Sequence, residues 1–167
     1  MNFSPMTLGT VQLGMNYGIA NEGGKPSMEK SFAILDAALS GGVNTLDTAR
    51  AYGTSEEVIG QYLKTRKGSL PNIVTKIRKL QGDTPKELER FAVTSVEESL
   101  EKLGVSKEET CVVGDRIYTD VKSGLNAGIT GILVLSGETT REILEASEDK
   151  PHLVLEDASE ILTAIRA

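Results

Sequence analysis

The 167-residue chain has one cysteine, one histidine and no tryptophan. A single cysteine, Cys111, excludes an internal disulfide and makes a reducing, cytoplasmic setting the default expectation. A single histidine, His152, excludes any multi-histidine metal site. No run approaches the roughly 20 apolar residues a membrane helix needs. The start of the chain, Met1-Asn2-Phe3-Ser4-Pro5, lacks the basic flank and apolar stretch of a secretory signal. Positive charge is in deficit, 18 Lys+Arg against 24 Asp+Glu for a net −6, and this argues against a nucleic-acid partner. What is present is ordinary for a globular protein, with 39% hydrophobic and 25% charged residues. The length suits one domain over residues 1–167.

Six short apolar runs alternate with amphipathic stretches. The expected strands are Thr7–Leu13, Val43–Asp47, Ile73–Ile77, Thr110–Val113, Gly131–Leu135 and Leu153–Leu155, each bounded by turn-forming residues. Helix starts are readable at Ser27, at Ser55 and at the capping box Thr84-Pro85-Lys86-Glu87. Thr139-x-x-Glu142 and Asp157-x-x-Glu160 repeat the signal, and Gly104 stands where a helix should end. This βα alternation predicts an α/β fold with a parallel sheet. Gly23-Gly24-Lys25 lacks the spacing of a phosphate loop and reads as a flexible connection. Cys111 is expected in the core, inert.

Strand ends are where parallel α/β folds assemble sites. Asp47 and Tyr52 follow the second strand and Lys76 lies on the third, so a carboxylate, a phenol and an amine converge there. Such a group can transfer protons; equally, Asp47 and Lys76 can be a plain ion pair with Tyr52 packed over it. Asp115 and Asp120 follow the fourth strand. Two carboxylates there suit Mg²⁺, or else one caps the next helix while the other pairs with Arg116 or Lys122.

Leu8-Gly9-Thr10-Val11-Gln12-Leu13-Gly14, the run Asp47-Thr48-Ala49-x-x-Tyr52-Gly53-x-Ser55-Glu56, and Lys76 resemble the aldo-keto reductases over about residues 5–104, the first three βα units of that barrel. The resemblance implies that Asp47, Tyr52 and Lys76 match three of the four catalytic residues, with Tyr52 the proton donor. The fourth, a histidine after the fourth strand, has no counterpart. The NADPH-binding segments of the family lie beyond the matching region. From about residue 99 to the end, Val113-Gly114-Asp115-Arg116-x-x-x-Asp120, Gly124-x-Asn126-Ala127-Gly128 and Ser136-Gly137-Glu138-Thr139-Thr140 resemble the haloacid-dehalogenase-like phosphatases, para-nitrophenylphosphatase branch. That likeness implies Asp115 as a Mg²⁺ ligand with Asp120 beside it. The nucleophile motif Asp-x-Asp-x-Thr has no match in the chain.

The two likenesses meet inside one helix, Ser95 to Val105. The expectation is therefore an engineered fold chimera, residues 1–104 from a reductase and 105–167 from a phosphatase, without native enzymatic activity. The alternatives are a Mg²⁺-binding phosphatase remnant and an NADPH-dependent reductase remnant. No cofactor is required on this reading, and Mg²⁺ binding, if present, is weak. Two architectures satisfy the pattern. One is a three-layer Rossmann-like sandwich of order 3-2-1-4-5-6. The other is an open partial TIM barrel of order 1-2-3-4-5-6, monomeric or homodimeric.

Overall fold

The computed structural model describes residues 3–164, apart from the side chain of Leu162. The first two and last three residues, which belong to the terminal stretches read above, lie outside that range. Contacts divide the chain into two compact units, one formed by residues 3–79 with 98–104, the other by 80–97 with 105–164. Boundaries between the units therefore fall after Lys79, within a helix after Glu97, and after Gly104.

In the first unit, β1 (Leu8–Gly9), β2 (Thr45–Asp47) and β3 (Asn72–Val74) form a parallel sheet in chain order, with Leu8 opposite Leu46 and Leu46 opposite Ile73. α1 (Val11–Gly14), α2 (Met28–Ser40) and α3 (Ser55–Thr65) are interleaved with these strands. Ser27 caps α2 by accepting from the Lys30 amide. Leu35, Leu46 and Ile59 are wholly buried and anchor this core.

The second unit holds β4 (Cys111–Gly114), β5 (Thr130–Val134) and β6 (Leu153–Leu155), again parallel and in chain order. Val113, Ile132 and Leu153 are in register, and so are Leu133 and Val154. Because alternate residues face opposite sides, each face builds its own cluster. Leu133 packs with Ile117 and Val121; Ile132 and Val134 pack with Leu155. A π-helical turn (Ile117–Val121), α5 (Lys122–Ala127), α6 (Arg141–Ala146) and α7 (Ile161–Ala164) complete it. The fold is thus α/β with six strands in two parallel three-stranded sheets and helices interleaved. The neighbours 1-2-3 and 4-5-6 occur in both architectures expected from the sequence.

α4 (Pro85–Leu103) joins the units: residues 85–97 belong to the second and 98–103 to the first. Its capping box forms as read. The Glu87 amide donates to Thr84 Oγ1, and the Thr84 and Asp83 amides donate to Glu87 Oε2. The Thr84 hydroxyl also donates to that carboxylate, and together these donors hold Glu87 below the usual carboxylate range. A carboxylate depressed in the folded state stabilises above its unfolded value, and that contribution is lost as pH falls through the folded value. Urea midpoints measured from neutral to acid pH are expected to fall less steeply in Glu87→Gln than in the parent.

Three sequence expectations are corrected. The run Thr7–Leu13 is a strand only over β1, and Val11–Gly14 winds into a helical turn. The cap of α6 is Thr140, not Thr139, whose buried hydroxyl instead accepts from the Ile117 amide. Cys111 is exposed, since it starts β4 at the edge of its sheet, and is not a core residue.

Candidate functional site

In the first unit, the end of β2 is fixed by main-chain bonds. The Asp47 carbonyl accepts from the Thr10 amide (3.0 Å) and the Thr10 hydroxyl (2.8 Å). The Thr48 amide donates to the Val74 carbonyl and the Arg50 amide to the Lys76 carbonyl, so the chain beyond β3 stays alongside residues 48–50. This brings the predicted Asp47, Tyr52 and Lys76 together. Lys76 Nζ lies 2.8 and 2.7 Å from the two carboxylate oxygens of Asp47, a bidentate contact. The same ammonium stands over the Tyr52 ring, 5.5 Å from its centroid. The contact is thus made to the ring face as a cation–π pair. Both charged side chains are over a third exposed, so the pair is screened and contributes no more than about 1 kcal/mol.

Sequence reasoning missed what lies behind this cluster. Thr10, Thr48 and Ser55 are fully buried and share a hydroxyl network, with Thr48 Oγ1 donating to Ser55 Oγ at 3.0 Å and Ser55 Oγ 2.9 Å from Thr10 Oγ1. Beside it, Arg50 and Glu56, 4% and 2% exposed, form a buried ion pair at 3.0 Å. Glu56 Oε1 also accepts from the hydroxyls of Thr75 and Ser99, both at 2.8 Å, and Arg50 reaches Glu98. Every one of these groups lies in the first unit. An arginine and a glutamate flanking the Tyr52-Gly53 turn were the available signal.

In the second unit, Asp115 follows β4 and clasps the loop after β5. Its Oδ2 accepts from the Glu138 amide and its carbonyl from the Thr139 amide, both at 3.0 Å. Gly137 is packed so closely on Asp115 that any Cβ there would overlap the carboxylate. Asp120 is carried on the π-helical turn, where the Asp120 and Val121 amides both donate to the Arg116 carbonyl. Its Oδ2 faces Arg116 Nε at 3.6 Å, and that guanidinium is 3.9 Å from Glu138. The predicted Asp115 and Asp120 thus flank one turn, each engaged with a group of the protein. Among the described residues no cluster of three or more His, Cys, Asp or Glu side chains is placed to hold a metal. As a Mg²⁺ site the donor set is poor, because a cation at Asp120 would have to displace or tolerate Arg116.

Among the described residues no helix is long and apolar enough to cross a membrane. Residues 92–161 match the HAD-hydrolase-like family model. Phosphoglycolate phosphatase 1A of Arabidopsis thaliana is 46% identical over 50 residues, 30% of this chain and 14% of the plant protein. The ribonucleotide monophosphatase NagD of Escherichia coli is 31% identical over 85 residues, 51% of this chain and 34% of that one. The chain therefore spans about a third or less of these relatives. Among solved structures, a Pseudomonas aeruginosa protein described as an aldo-keto reductase superposes with a TM-score of 0.53 at 24% identity, covering 91% of this chain and 73% of that one. Residues 92–161 are thus similar in sequence to HAD-hydrolase-like proteins, and the fold is similar to that of an aldo-keto reductase.

Proposed function

We propose that the chain is an engineered fold chimera that serves as a scaffold and carries no native turnover. The observation behind this reading is that the chemistry-bearing side chains are already committed to the protein's own groups. Lys76 is held by both oxygens of Asp47, Asp115 closes the 137–139 loop, and Asp120 faces Arg116. An Asp47–Lys76 pair is equally what a proton-donating Tyr52 would need, so the weight of this reading falls on Arg116 facing Asp120 and on the single histidine, His152, which belongs to the second unit while Tyr52 belongs to the first. The HAD-hydrolase-like match over residues 92–161 favours a second reading, a phosphatase remnant that binds Mg²⁺ weakly through Asp115 and Asp120. A reductase remnant using NADPH through Tyr52 ranks below both. As a scaffold the protein is proposed to be cytoplasmic, a monomer or homodimer, with no nucleic-acid partner.

The test combines activity with stability. Hydrolysis of para-nitrophenyl phosphate in millimolar Mg²⁺ and carbonyl reduction with NADPH are both expected at the buffer rate. Millimolar Mg²⁺ is expected to move the thermal midpoint by less than the roughly 2–4 °C that 1 kcal/mol produces in a chain of this size. Multiple turnover abolished by Asp115→Asn or Tyr52→Phe would overturn the scaffold reading. A larger Mg²⁺ shift, lost in Asp115→Asn, would replace it with the remnant.

A further inference from the structure

At the end of the second sheet opposite Asp115, a cleft of about 330 Å³ opens where β5 and β6 begin. Leu125 and Ile129 supply apolar wall, and Lys107, Glu108, Thr130 and His152 supply polar groups.

His152 is held in a reciprocal bond with Gly131. Its main-chain amide donates to the Gly131 carbonyl at 2.8 Å, and the Gly131 amide donates to His152 Nδ1 at 3.0 Å. The Nδ1 lone pair is therefore occupied. A neutral imidazole held this way carries its proton on Nε2. Nε2 then has no lone pair to offer a metal or a proton, and the ring acts in the cleft as an N–H donor. Lys107 adds a cation, half exposed and loosely paired with Glu97 at 3.8 Å. Glu108 adds an anion. Its own backbone amide and the Ser106 hydroxyl favour the ionised carboxylate.

One cation, one carboxylate and one neutral donor give a bare anion no net advantage, because Glu108 repels what Lys107 attracts. A ligand bearing both charges satisfies both. We infer that this cleft is a site for a small aliphatic zwitterion, a free α-amino acid, whose carboxylate meets Lys107 and His152 Nε2–H while its ammonium meets Glu108. The aliphatic side chain would lie against Leu125 and Ile129. The inference is independent of whether the chain turns anything over.

The amide signals of Thr130 and Gly131 and the single imidazole make nuclear magnetic resonance the natural readout. Titration with L-valine is expected to shift them saturably, whereas acetate and propylamine alone do not saturate over the same range. Lys107→Met is expected to abolish saturation. His152→Asn retains an acceptor for the Gly131 amide but removes the Nε2–H donor, and is expected to weaken binding by about tenfold. A linear valine response in the parent overturns the inference. So does saturation unchanged in both variants, or acetate binding as tightly as valine. Saturable Zn²⁺ binding at His152 Nε2 overturns the assignment of that nitrogen as a donor.

Discussion

An Arg50→Met variant is expected to lose roughly 3–5 kcal/mol of folding stability, the range found when one member of a buried ion pair is removed. Glu56 is 2% exposed, and without Arg50 its charge leans on the neutral hydroxyls of Thr75 and Ser99. The buried Nε of Arg50 already lacks a hydrogen-bond partner, so the pair is not an optimised one. That makes its replacement as a whole cheaper than its disruption. Arg50→Met combined with Glu56→Leu is expected to be more stable than Arg50→Met alone, an interaction that a double-mutant cycle isolates. The measurement is the urea midpoint at constant slope, which separates lost stability from a change in the unfolded ensemble. A loss below about 1 kcal/mol, the range of exposed pairs, would show that water reaches these charges.

The Arg50–Glu56 pair also marks where sequence reading stops. Local chemistry was legible. Ser27 and the Thr84–Glu87 box cap their helices because a capping residue needs only the next turn of its own chain. The convergence of Asp47, Tyr52 and Lys76 was legible too, since strand ends in a parallel sheet share one side. An Asp47–Lys76 ion pair with Tyr52 packed over it was one of the two arrangements the sequence allowed, and it is the one that forms. Glu56 was visible only as part of a motif. Its burial depends on Ser99, 43 residues away, and on the packing of α3 against the last turn of α4. Val11-Gln12-Leu13 alternates like a strand, yet it winds, because the turn lets Gly14 approach the Tyr52 carbonyl with no room for a Cβ. In each miss a tertiary contact overrode a local preference. Asp115 and Asp120 show the same limit in chemistry: spacing put two carboxylates at one strand end, but only the structure shows Arg116 between Asp120 and Glu138.

The last turn of α4 offers a second test with a large expected effect. Gly60, inside α3, lies directly against the Lys102 backbone, and a Cβ there would overlap the Lys102 carbonyl oxygen. Exchanging glycine for alanine in a helix interior ordinarily stabilises by roughly 0.5–1 kcal/mol. At Gly60 the sign is expected to reverse, with a net loss of about 2–3 kcal/mol, because the obstacle is main chain and no rotamer change can relieve it. Separation of α3 from α4 would be the only relief, and it would break the Glu56–Ser99 bond at 2.8 Å and the Glu57–Lys102 pair at 2.6 Å. Gln61→Ala, at the neighbouring exposed position, is the control and should be near neutral. The residues that would separate are those of α3, in the reductase-like part, and Ser99 and Lys102, in the stretch common to both likenesses. A Gly60→Ala protein as stable as its parent would mean that this helix contact does not hold the last turn of α4 in the first unit.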